Sequence, residues 1–201
     1  MAGLQIPSTA RSRLELIEEM IADGRRTTEG WGGPLVLWGI GHLAGLAGNR
    51  WFHAYKAWLV IVPICFVASL VLLGRGSADK RTFAGRAVHA VWTAEMVGLS
   101  ILDLIAVPSG RISSDGYDLF FLCSMGTCMY VNGVVLRWPV CKWIGVVWWG
   151  AVILGLTLPA PWMGWIWLAA TAVLQLGFGI YLVVRDRQSV ARDRGRAGEE
   201  A

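Results

Sequence analysis

The sequence predicts an all-α polytopic membrane bundle of six transmembrane helices, preceded by a short cytoplasmic amphipathic helix. Three observations predict it. Of 201 residues, 55% are hydrophobic and only 16% charged, whereas a soluble domain carries about 25% charged residues. The apolar residues are gathered into blocks, each close to the roughly 20 that a helix needs to cross a bilayer core of about 30 Å. Lys and Arg then fall between the blocks with a strong bias to one side. Six blocks and their flanks use the whole chain, so the expected organisation is a cytoplasmic amphipathic segment over 1–30, a six-helix transmembrane domain over 31–184, and a disordered cytoplasmic tail over 185–201.

The N-terminal helix is expected over 12–24. Ser12 followed by Glu15 fits a capping box, in which each side chain satisfies a backbone donor at the helix start. Leu14, Ile17 and Ile21 recur on one face, while Glu15, Glu18, Glu19 and Asp23 cover the other. Gly24 can end the helix, and Arg25 and Arg26 suit its negative C-terminal end. Such a helix can dock on its own bundle, lie on the membrane, or contact a membrane or cytoplasmic protein partner. The acidic residues ahead of the first apolar block are not those of a signal peptide's basic n-region.

The first block, 31–48, is rich in glycine, and Gly41 and Gly45 have the small-xxx-small spacing that lets another helix approach closely. They are a candidate helix contact, and a homo-oligomer packed on them is compatible with that spacing. The second block runs over 57–73. The third, 87–107, contains His89, Glu95 and Asp103. The fourth and fifth cover 117–136 and 140–158. Pro159 and Pro161 predict a tight turn, after which the sixth block spans 162–184. Beyond Arg185, charges alternate with Gly and Ala, a composition expected to stay unfolded.

Orientation follows from counting cations. Lys and Arg number four before the first block, four between the second and third, two between the fourth and fifth, and five in the tail; the opposite loops hold three. Fifteen against three places both ends in the cytoplasm, with the plasma (cytoplasmic) membrane as the expected location. The same placement argues against a nucleic-acid partner despite the net charge of +4, because the cations orient the protein in its lipid bilayer. Trp31, Trp51, Trp58, Trp138, Trp143 and Trp162 lie near block ends, where amphipathic rings favour the headgroup region. Cys65, Cys123, Cys128 and Cys141 form no C-x-x-C pair, and Cys123 and Cys128 point about 140° apart on a helix; buried structural thiols are expected.

Ionisable groups inside a membrane are costly, so a retained one is a functional candidate. On the third helix, His89 and Asp103 lie about 40° apart and Glu95 a further 80° round. Met96, Thr93 and Ser100 join that side, and Val91, Ala94, Gly98, Ile101 and Ile105 form the opposite, apolar side. Counted from the cytoplasmic flank, His42 lies about 12 Å deep, Glu95 about 13 Å and Gln175 about 15 Å. The expected polar layer therefore contains His42, Glu95 and Gln175, with Thr127 or Cys128, and pairs His42 with Glu95. His89 and Asp103 are candidate relay positions, although Asp103 is also close enough to the outer end to be hydrated there.

Cofactor and metal chemistry find no support, and neither does a familiar enzyme motif. Haem is not expected: the sequence has three histidines, and His42 and His89 differ in depth by about 8 Å on the helix rise, whereas a bis-histidine haem wants level ligands. No H-x-x-x-H or E-x-x-H spacing offers a metal site. There is no Walker loop and no G-x-S-x-G elbow, so the reading leans away from an enzyme.

Residues 14–39, LELIEEMIADGRRTTEGWGGPLVLWG, resemble the start of some uncharacterised small bacterial multi-pass membrane proteins. In those, a charged helix with a basic end leads into a first span around a Leu-Trp-Gly. The resemblance implies a bacterial inner-membrane setting and transfers no activity or catalytic residue. Two functions remain in view. One is a non-enzymatic sensor, accessory subunit or assembly component acting through partner contacts. The other is a small-solute or proton/ion-coupled transporter using the layer around Glu95. A hydrated cavity reaching Glu95 distinguishes the second from the first.

Overall fold

Where lipid is the solvent, backbone N–H and C=O groups must be satisfied within the chain, and a helix does this inside a single segment. The computed structural model describes residues 13, 16–18, 31–52, 57–75 and 83–199, and every regular element among them is helical. In chain order these are α1 (Gly32–Phe52), α2 (Trp58–Arg75), α3 (Phe83–Ile101), α4 (Ser114–Val135), α5 (Pro139–Thr157), α6 (Met163–Ala170) and α7 (Phe178–Glu199). Among the described residues, four stretches are long and apolar enough to cross a membrane: Gly85–Ala106, Ser114–Val135, Pro139–Thr157 and Ala160–Gln188. The chain is therefore a multi-pass membrane protein by the length and composition of its helices. Trp58–Leu72 is apolar but shorter, and α1, although 21 residues long, is diluted by glycines, His42, Asn49 and Arg50. Residues 16–18 are helical, with Leu16 and Ile17 exposed; the rest of the helix expected over 12–24 lies outside the described residues.

Local chemistry sets the boundaries. Ser113 caps α4 by accepting the Gly116 N–H at 3.1 Å, and Asp115 sits in the first turn, where the helix dipole favours an anion. Pro139 opens α5 at a position whose N–H needs no partner. The expected turn at Pro159 and Pro161 forms as a short 3-10 segment, Ala160–Trp162.

Two spans contain π-helical turns that nothing in the hydropathy pattern predicts. Leu102–Ala106 continues α3, and Thr171–Gly177 joins α6 to α7. In the first, the Val107 N–H reaches back five residues to the Leu102 carbonyl at 2.9 Å. Such wide turns insert an extra residue and re-aim the side chains around them.

Helices α4 and α5 are the most closely associated, and α1 touches α2, α7 and the second π-turn. The centre holds Phe121, Trp148, Trp167 and Leu182, all essentially inaccessible. Outward-facing Ile153, Leu156 and Val173 are more than half exposed, a surface suited to acyl chains.

Four expectations need correction. Trp31 and Trp138, placed in the headgroup belt by their position in sequence, are buried: Trp31 stacks on Trp92 and Trp138 packs beside Phe178. Cys123 is exposed while Cys65, Cys128 and Cys141 are buried, because the 140° between Cys123 and Cys128 leaves one of them facing out. Gly41 and Gly45 meet the protein's own α2. A Cβ on Gly41 would come within 2.7 Å of Cys65 Sγ, and one on Gly45 within 2.6 Å of the Trp58 ring, so the face suggested for a second copy is already covered. Finally, α7 continues to Glu199 in place of the expected disordered tail. Arg, Gln and Ala are good helix formers, and extending an existing helix avoids the cost of nucleating one.

Candidate functional site: a carboxylate-lined cavity

Between α1, α3 and α4, closed by α2 and the second π-turn, lies a cavity that includes Trp38, His42, Glu95, Asp103, Phe121 and Gln175 in its wall. Water-molecule centres fit over about 40 Å³ of it, and one water needs about 10–15 Å³ on that measure. It therefore has room for a short chain of waters or a small ion.

Helical spacing assembles the wall. On α3, Trp92, Glu95, Met96, Leu99 and Ser100 all line it, and their offsets of three, four, seven and eight residues define one face. Asp103 continues that face into the π-turn. Of the side expected to be apolar, Ala94, Gly98, Ile101 and Ile105 are exposed, but Val91 packs partly buried against the core; Thr93, expected on the polar side, is exposed. On α4, Tyr117, Phe121 and Met125 repeat every four residues and complete the opposite side.

Gln175 and His42 meet as members of the predicted layer: the His42 Nδ1 donates to Gln175 Oε1 at 3.1 Å. The imidazole sits among four rings, with centroid separations of 5.4 Å to Trp38, 6.0 Å to Trp58, 4.9 Å to Phe121 and 5.4 Å to Trp167. Glu95 accepts a hydrogen bond from the Ser124 hydroxyl, and the Cys128 thiol is also within hydrogen-bonding reach of it. The expected His42–Glu95 pair is thus replaced by two separate pairs facing one cavity, because α1 presents His42 to the last span and α3 presents Glu95 to α4. Thr127 is not in the layer. It is exposed and donates to the Cys123 carbonyl of its own helix at 3.0 Å. His89 lies 5.8 Å from the Trp31 ring and is absent from the cavity wall.

Asp103 is 6% exposed, so it does not sit on the open outer surface. Among the described residues its Oδ2 has no hydrogen-bond partner, and the same holds for Ser100 Oγ and Trp92 Nε1. All three residues line the cavity. Buried polar atoms are rarely left unsatisfied, so their convergence marks a place for water or a polar guest. Among the described residues no Lys or Arg is in the wall, and the two carboxylates make the cavity suited to a cation.

A second space lies farther along α3 towards the α4 N-terminus. Asp103, Tyr117, Ser114 and Asp118 line it. Asp103 and Tyr117 thus stand between the two cavities, giving the carboxylate order Asp118, Asp103, Glu95 from the helix ends inward. Sequence reasoning identified Glu95 and Asp103 but missed Ser124. The four-residue step from Ser124 to Cys128 was the available signal.

Among the described residues no three His, Cys, Asp or Glu side chains are grouped as metal ligands would be. No protein-family model matches the chain, and no curated protein or solved structure matches it either. Its functional reading rests on this geometry.

Proposed function

We propose that the protein is a six-span membrane transporter or channel-like carrier for protons or a small monovalent cation, with both ends in the cytoplasm and Glu95 as its central acceptor. The single observation that carries this reading is the cavity at Glu95 with the unpartnered Asp103 Oδ2 in its wall. A merely structural polar knot would satisfy its own atoms, since an unpaired buried acceptor costs about 1–3 kcal/mol. A guest that supplies positive charge or hydrogen-bond donors removes that cost.

The residues divide the work as follows. Asp118 and Asp103 attract a cation at the outer space, Tyr117 narrows the passage, and Glu95 receives the cation at mid-depth with Ser124 orienting its carboxylate. The His42–Gln175 pair fixes the opposite wall. Sidedness and span count are supported by the excess of cations in alternate loops.

The test is flux in proteoliposomes, read with a pH-sensitive dye and with potassium- and sodium-sensitive dyes under an imposed gradient. Wild type should exceed protein-free vesicles for at least one of these ions, and Glu95→Gln should remove at least nine-tenths of that excess (~1.4 kcal/mol, a factor of ten). Equal flux in the two proteins for every ion rejects the proposal.

A further inference from the structure

At the opposite end of α4 from Asp118, the chain makes a close turn into α5. The Trp138 N–H bonds the Gly133 carbonyl at 2.8 Å and the Arg137 N–H bonds the Val134 carbonyl at 3.2 Å. This is the Schellman pattern that ends many helices, and its left-handed residue is usually glycine. Here that residue is Arg137, with φ of 46°. An L side chain disfavours this region, so Arg137 takes a strained position that glycine usually fills. Outliers of this kind gather at binding sites.

Arg137 belongs to the wall of a groove of about 500 Å³ between the end of α4 and the start of α5. Lys142 is in the same wall, and its Nζ lies 5.7 Å from the Tyr130 ring centroid. Gly133 makes this arrangement fit: a Cβ there would collide with the Lys142 backbone. Among the described residues no acidic side chain lines the groove. Beyond its cationic end, the wall becomes apolar through Val134, Trp143 and Val146, and Trp143 is 69% exposed.

A cationic end joined to an apolar, outward-facing wall beside an exposed tryptophan matches one amphiphile. We infer that this groove binds an anionic glycerophospholipid, with its phosphate between Arg137 and Lys142 and an acyl chain along Val134 and Val146. Basic pockets between spans are a recurring way to hold such headgroups. A free phosphate would use the cations but leave the apolar wall unused. The inference depends on the protein crossing a bilayer and is independent of what passes the Glu95 cavity.

The full chain in mild detergent can be titrated with phosphatidylglycerol, phosphatidylcholine or water-soluble glycerol phosphate, with native mass spectrometry counting retained adducts and thermal unfolding run in parallel. Phosphatidylglycerol should give one preferentially retained adduct and raise the midpoint by several degrees more than phosphatidylcholine. The double variant Arg137→Gly, Lys142→Gln should lose the preference at least tenfold. Glycine suits the left-handed turn, so Arg137→Gly alone should still fold, and it provides the stability control. Equal retention of both lipids overturns the inference. So does a preference that survives in the double variant, or a full midpoint shift from glycerol phosphate alone.

Discussion

His42 on α1 and Gln175 on the π-turn of the last span hold each other at 3.1 Å across the buried centre of the bundle. Both are almost wholly inaccessible, and the bond ties the first described helix to the last. Gln175→Leu would leave the His42 Nδ1 donor without its acceptor, at a cost of about 1–3 kcal/mol. Thermal unfolding followed by tryptophan fluorescence should show a midpoint lower by several degrees. The double variant His42→Leu, Gln175→Leu should recover most of the loss, because removing both polar groups removes the unmet demand. A double variant as unstable as the sum of the singles would show that the two residues do not act as a pair.

Asp103 offers a test that separates function from folding. Replacing it with Leu removes a buried, unpartnered acceptor and puts a larger side chain of the same branching beside a cavity that can take the added volume, so the unfolding midpoint should hold or rise, by up to about 1–3 kcal/mol of stability. Cation flux should fall at least tenfold in the same protein. A lower midpoint with unchanged flux would assign Asp103 to the fold alone.

At Gly45, α1 meets α2 closely, with the Trp58 ring 2.6 Å from where a Cβ would stand. Gly45→Val should destabilise the protein by about 1–3 kcal/mol through overpacking. Trimming the obstacle in Gly45→Val, Trp58→Leu should return part of that loss. Chemical crosslinking should give the same oligomer distribution for Gly45→Val as for wild type, since this face packs within the chain. Dissociation of an oligomer on Gly45→Val would instead place a second copy there.

Sidedness can be read with reporter fusions in a bacterial host. Green fluorescent protein joined after Ala201 should fluoresce and alkaline phosphatase at the same point should be inactive, the pattern of a cytoplasmic end. A truncation after Arg111 should give the reverse, because that loop is expected outside. Any other pattern breaks the six-span topology.

The sequence made the polar layer legible in part. Equal depths of His42, Glu95 and Gln175 could be counted from helix rise, and all three do line one cavity. The pairing could not be counted. Depth fixes the level of a residue along its own helix but leaves open which neighbour that helix turns towards. For the same reason Thr127 and Cys128 were interchangeable until α4 was seen to bury Cys128 and expose Thr127. Trp31 and Trp138 looked interfacial because position in a block says nothing about whether an end is covered by another helix.

Periodicity and block length determined that the chain folds as membrane-crossing helices, and the spacing on α3 determined which of its faces is polar. Those properties depend on a single helix and its solvent, and they survive any arrangement of neighbours. Which groups meet was decided only in three dimensions: His42 with Gln175, Glu95 with Ser124, the widened turns that carry Asp103 and Gln175, and the atoms left without partners. These depend on the azimuth of each helix against the others, which is set by the sum of many small packing contacts.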